Sequence, residues 1–156
     1  MRVIAHRGNL EGPDKAQENS IKSALNCFYR GLDVELDIHV KNELVYLDHD
    51  GILNNTTPCI DLKKFCREFD SFRDNLWVHC KNLEAIIFCQ TNLSQYNYVG
   101  HSNDEFVLTS KGYIFTRPNV AAGKNVVCVM PELSNLKLEQ VKKYELVLTD
   151  YPLHYL

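Results

Sequence analysis

The 156-residue sequence contains no apolar stretch approaching the ~20 residues of a membrane-spanning helix. Its first residues, MRVIAHRG, hold no apolar run long enough for a secretory signal. Positive charge is not in excess: 17 Lys and Arg stand against 20 Asp and Glu. The basic residues are scattered, with Lys63-Lys64 and Lys142-Lys143 the only doublets. Bulk binding to nucleic acid or to an anionic membrane is therefore not expected. Six cysteines are present, but none forms a C-x-x-C pair, and most sit in apolar segments where a free thiol behaves as a small hydrophobe. Together with a length sufficient for a core of its own, this predicts a reduced cytoplasmic chain rather than a disulfide framework. Linkers, repeats and low-complexity segments are also missing, which predicts a single domain over residues 1–156.

What the sequence does contain is alternation. RVIA (2–5) reads as a strand entering a loop marked by Gly8, Gly12 and Pro13. Ile21, Ala24, Leu25 and Phe28 recur at helical spacing, with Asn19 or Ser20 as N-cap and Gly31 as the stop. LDVELDIHV (32–40) and ELVYLDHD (43–50) read as paired strands across a turn at 41–42, followed by a loop over DGILNNTTP. CIDLKKFCREF predicts a helix, LWVHCKN a strand, LEAIIFCQTN a helix and YNYVGHS a strand. After that come two strands around a turn at 110–112, a strand in NVVCVMPE, a short helix in LKLEQVKKY and a last strand in ELVLTDYP. Mostly alternating β and α elements with apolar strands predict an α/β fold. The expected form is a compact or reduced TIM (β/α)8-like barrel with several outer helices missing, because a full barrel takes ~250 residues.

LDVELDIHV places Asp33, Glu35, Asp37 and His39 on one strand face, where three carboxylates repel one another. Either that face is solvated or something positive sits on it. Ligands collect at the carboxyl ends of strands in such folds, and AHRG, HD (49–50) and HCKN all stand at those ends. Glu35 and Asp37 suit a hard divalent cation. His6 and His49 suit a general acid/base pair, and Arg7 and Lys81 suit an anion clamp. The combination fits phosphodiester chemistry, in which cations offset charge on phosphorus oxygens. Other residues carry plainer readings. His39 and Asp33 read as structural, His101 as either pocket or surface turn, Glu132 as either pocket-lining or not, and Trp77 as core.

The motifs AHRGNLEGPD…ENS, DVELDIHV…NELVYLDHDG, VHCKN and YELVLTDYP resemble the glycerophosphodiester phosphodiesterase family. The resemblance implies a TIM barrel and metal-dependent hydrolysis of a small glycerol- or sugar-linked phosphodiester. It also implies His6 and His49 as acid and base, Arg7 and Lys81 at the substrate phosphate, and Glu35 and Asp37 as metal ligands. Glu18 would support the first loop, and Asp150 would fix it by hydrogen bonds. His79 stands where the family has a third, glutamate ligand. An imidazole there removes a negative charge and softens the site, moving preference from Mg²⁺ or Ca²⁺ toward Mn²⁺ or Zn²⁺. The segment after Lys81 is also shorter than the family's, so glycerol specificity does not carry over. Two rivals follow: a non-catalytic ligand-binding protein of the same fold, and a phospholipase-type enzyme, which the missing amphipathic anchor disfavours. A short outer layer of helices also predicts a homodimer covering exposed barrel surface.

Overall fold

The computed structural model describes residues 1–51 and 57–156; the part of the expected DGILNNTTP loop at 52–56 lies outside the described residues. Ten strands form one mixed sheet: β1 (Arg2–Ala5), β2 (Asp33–Lys41), β3 (Leu44–Leu47), β4 (Cys59–Ile60), β5 (Leu76–Cys80), β6 (Asn97–Val99), β7 (Phe106–Leu108), β8 (Ile114–Thr116), β9 (Val126–Val129) and β10 (Leu146–Thr149). Among the described residues the α-helices are α1 (Ile21–Phe28), α2 (Leu62–Phe69), α3 (Leu83–Asn92) and α4 (Leu138–Val141). Seven strands run parallel in the order β6-β5-β2-β1-β10-β9-β8. β3, β4 and β7 attach antiparallel at the flanks.

This arrangement corrects the expected barrel. The sheet curls into a half-barrel, and among the described residues no ladder joins β6 to β7 or β8. Single hydrogen bonds approach across that gap, such as Ser110 N–H to the Tyr98 carbonyl at 2.8 Å. The physical reason is connection length. A helical crossover takes a dozen or more residues, and 100–105, 109–113 and 117–125 are all shorter. The chain therefore builds a hairpin and a bare crossover in place of β/α units.

Helix starts follow local side-chain chemistry. Ser20, not Asn19, caps α1, its Oγ accepting from Ser23 N–H at 3.1 Å. Asp61 caps α2, so the segment expected as one helix from Cys59 divides into β4 and a shorter helix. Asn82 caps α3 and also clamps Val40 through both its amide atoms, fixing the far end of β2. The β2–β3 turn lies at Asn42-Glu43, one residue beyond the expected place; both have positive φ, as a two-residue hairpin turn demands.

The two faces of the sheet carry separate cores. Ala5, Val34, Leu36, Val78 and Val147 pack outward with Ala24, Phe65, Phe69 and Cys89 from the helices. Ile4, Trp77, Val99, Phe115, Val127 and Leu148 fill the inside of the curl. The acidic face of β2 shares that inside. At its lower end Asp33 is buried and fully engaged: Arg2 Nε lies 2.6 Å away, the Trp77 indole N–H 2.7 Å and the Asn75 amide 2.8 Å. Asp33 is thus a structural residue of the half-barrel floor. Asp33→Ala strands these donors and should cost about 3 kcal/mol of unfolding free energy. Urea titration checks this, and a loss under 1 kcal/mol contradicts the assignment.

Candidate active site

Strand β2 changes partner halfway along one edge. β1 pairs with it as far as Val34, and β3 pairs with it only from Ile38. Between the two ladders Glu35, Leu36 and Asp37 have no strand on that side, which opens a gap at the carboxyl end of β1. Asn19 fills it. Its backbone is left-handed (φ 51°), a conformation asparagine tolerates. Its Oδ1 accepts the Asp37 N–H at 2.9 Å, and its Nδ2 donates to Asp37 Oδ2 at 3.2 Å. Sequence reading offered Asn19 only as a helix cap; an isolated polar residue gives no signal of the ladder it completes.

The chain leaves β1 through a 3-10 turn, His6–Gly8. Arg7 is left-handed there (φ 51°, ψ 20°), strain of the kind that clusters at functional sites. The twist aims its N–H at Glu35 Oε2, 3.1 Å away. Gly8 has φ 73°, and a Cβ on it would lie 2.7 Å from Ser23 Oγ, so only glycine fits.

Glu35 and Asp37 are each about 1 % exposed and meet His79, which β5 places directly across from Asp37. One ligand atom from each of the three lies within 4.8 Å of the others. His79 Nδ1 is 3.0 Å from Asp37 Oδ1 and 3.3 Å from Glu35 Oε1. Neither contact is a well-aligned hydrogen bond, and Asp37 Oδ1 has no aligned donor. Arg7 Nε lies 3.0 Å from Asp37 Oδ2, Arg7 Nη1 donates to Glu18 at 3.0 Å, and Lys81 Nζ stands 3.8 Å from Asp37 Oδ1. Burial pushes the Asp37 carboxyl up, but His79, Arg7 and Lys81 outweigh it and hold it well below the usual range. Burial likewise lowers the His79 pKa, yet Asp37 and Glu35 outweigh it and raise it to about 9.

His6 belongs to the same cluster. Its Nδ1 pairs with Asp150 Oδ1 at 2.8 Å, which leaves Nε2 as the nitrogen for exchange. Burial lowers its pKa, but the Asp150 bond and the Glu35 charge outweigh this and set it above the ordinary value. Asp150 also accepts from Asn9 at 2.8 Å, and its own N–H donates to Glu132 Oε1 at 2.9 Å, so Glu132 sits behind the site. Asn9 reaches Glu18 at 3.4 Å, closing a network around the first loop. His101 joins from the far side, stacked on His79 with centroids 4.6 Å apart. His49 does not join. It is 38 % exposed on the rim and pairs with Asp50 at 2.9 Å, and no hydrogen bond or ion pair among the described residues links it to His6 or the carboxylates. His39 serves structure by bonding the Asp48 carbonyl at 2.9 Å. A wide open groove of about 1520 Å³ lies behind the first loop against α1, but none of these carboxylates lines it.

No family model, curated protein or solved structure matches this chain. Among the described residues no helix is long and apolar enough to cross a membrane.

The electrostatics carry a pH signature in metal-free buffer. His79 holds its proton to about pH 9 when folded, against an ordinary value of 6.5. Its stabilisation is therefore complete below pH 6.5 and is lost as the pH rises through 9, a swing of roughly 3 kcal/mol. Urea unfolding in chelator at pH 6.5 and 9.5 should show that decline in the wild type and a much smaller one in His79→Gln. Equal declines in both proteins would contradict the ion pair.

Proposed function

We propose that the chain is a metal-assisted phosphodiester hydrolase, similar to the glycerophosphodiester phosphodiesterases, acting on a small glycerol- or sugar-linked phosphodiester. The observation that carries this reading is the convergence of two buried carboxylates and an imidazole beside two cations, Arg7 and Lys81, with a tethered histidine at its edge. The residues fit a divalent ion: three donor atoms converge without aligned hydrogen bonds among themselves, and Asp37 Oδ1 is buried with no aligned donor. Glu35, Asp37 and His79 would hold it, and the nitrogen ligand favours Mn²⁺ or Zn²⁺ over Ca²⁺ or Mg²⁺. Bound there, such an ion supplies Lewis acidity toward a phosphoryl oxygen.

The chain's own groups do the rest. Arg7 Nη1 donates to Glu18 and its Nε is ion-paired, without an aligned hydrogen bond, to Asp37, so Nη2 is the nitrogen that meets a phosphate oxygen. Lys81 Nζ, whose ion-pair contact among the described residues is a long one to Asp37, supplies the second cation. Asp150 fixes the His6 ring and, with Glu35, raises its pKa above the ordinary value, which suits Nε2 to protonate the leaving alkoxide first. His49, once its ring turns from Asp50 toward the cluster, would take the proton of the attacking hydroxyl or water, and the two would exchange roles in a second step.

One arrangement favours a second reading, ligand binding without turnover. A protonated His79 already stands between the carboxylates as a cation would, while His49 is turned to Asp50. Hydrolysis of bis-p-nitrophenyl phosphate and glycerophosphocholine separates the two. Metal-stripped protein is given Mg²⁺, Ca²⁺, Mn²⁺ or Zn²⁺ in turn. Turnover should need a metal, and His6→Ala or His49→Ala should lower kcat by about 10²–10⁴ with metal binding retained. Near-normal activity in His6→Ala would overturn the mechanism. Silence with every metal, accompanied by ligand-induced thermal stabilisation, would establish the binding protein.

A further inference from the structure

A cavity of about 340 Å³ opens at the mouth of the half-barrel, at the carboxyl ends of β8 and β9. It falls at the lower end of the size range of small-molecule sites, about 300–1,000 Å³. Its inner walls are Val107, Phe115 and Val129, which belong to the core inside the curl. Two groups of its polar rim are engaged within the loop: Asp104 accepts from the Ser102 N–H at 3.4 Å, and Arg117 donates to the Asn103 carbonyl at 3.3 Å. The cavity lies next to the candidate active site: His101 lines it and stacks on His79 at 4.6 Å. A phosphorus centre held by Arg7 and Lys81 would thus have one substituent directed past His101 into an apolar chamber.

We infer that this cavity receives one apolar-faced substituent of the ligand, an aryl or compact alkyl group joined to phosphate, in preference to a polyol such as glycerol. The inference rests on the phosphodiester reading above for the position of the phosphate. A polyol packed against Val107, Phe115 and Val129 would lose water from its hydroxyls there, a penalty that an aryl ring does not meet. An aryl ring instead removes its own apolar surface from water.

Binding tests this without any need for turnover. Phenyl phosphate and methyl phosphate share the anion and differ only in the group offered to the cavity. Isothermal titration of the full chain should give phenyl phosphate at least about tenfold tighter binding than methyl phosphate. Val107→Trp fills the chamber and should bring the two ligands within about twofold, with methyl phosphate unaffected. Leu133→Asp, at an exposed lining position that places no demand on folding, should reduce the phenyl advantage in the same direction. Equal affinity of the two ligands, or a phenyl advantage that survives both variants, overturns the inference. Failure of the phosphodiester reading would look different: Lys81→Ala would then leave binding of both ligands unchanged.

Discussion

Two carboxylates taken out of water side by side on one strand must be neutralised, and in this molecule the neutralising groups arrive from two other parts of the chain. Arg7 comes from the turn after β1, and His79 and Lys81 come from β5 and its end. Asn19, from the loop ahead of α1, holds the Asp37 backbone and side chain together. None of these groups is in place until β1, β2 and β5 lie side by side. An unpaired buried charge costs several kcal/mol, so sheet order and site assembly are one event. The partner change on β2 creates the opening; the cations and Asn19 make it habitable for acids.

Much of this was legible in LDVELDIHV. Period-2 alternation identified the strand and its acidic face, and the motif order placed His6, Arg7 and Lys81 at strand ends. The four α-helices and nine of the ten strands correspond to expected elements, β4 being the strand that was missed. The overall shape was less legible, since nothing in a local pattern states whether a curled sheet closes. Closure depends on connection length between β6 and β9, and the sequence did show strands there without helices. Asn19 and His101 were obscured for another reason. Each acts through a partner distant in sequence, Asp37 or His79, and a single polar residue in a loop carries no periodic signature. His49 is the reverse case: its motif position suggested the cluster, while its ring is turned toward Asp50 at the rim.

The two halves of the sheet divide the work. The AHRG, DVELDIHV, NELVYLDHDG, VHCKN and YELVLTDYP segments lie on β1, β2, β3, β5, β10 and the loops beside them, and those segments with the first loop hold every charged group of the candidate centre. β7, β8 and β9 contribute none of the motifs; with His101 they form the apolar chamber next to it. Under the proposed function, such a division would separate reaction chemistry from ligand choice. It lets the hairpin side vary in size and polarity without disturbing the charges on β2.

The alternation of β2 also makes that strand unforgiving of length change. Side chains repeat every two residues, so one inserted residue ahead of Glu35 would turn Glu35 and Asp37 outward among Val78, Phe65 and Cys89, and would turn Leu36 and Ile38 toward Arg7 and Lys81. Nine residues, Asp33–Lys41, are thereby locked in phase with three neighbouring strands at once. The hairpin of β7 and β8 has no such lock on its outer edge, where β7 is the last strand of the sheet. A change of chain length is therefore held in check by three ladders at the charged end and, along the outer edge of β7, by none among the described residues.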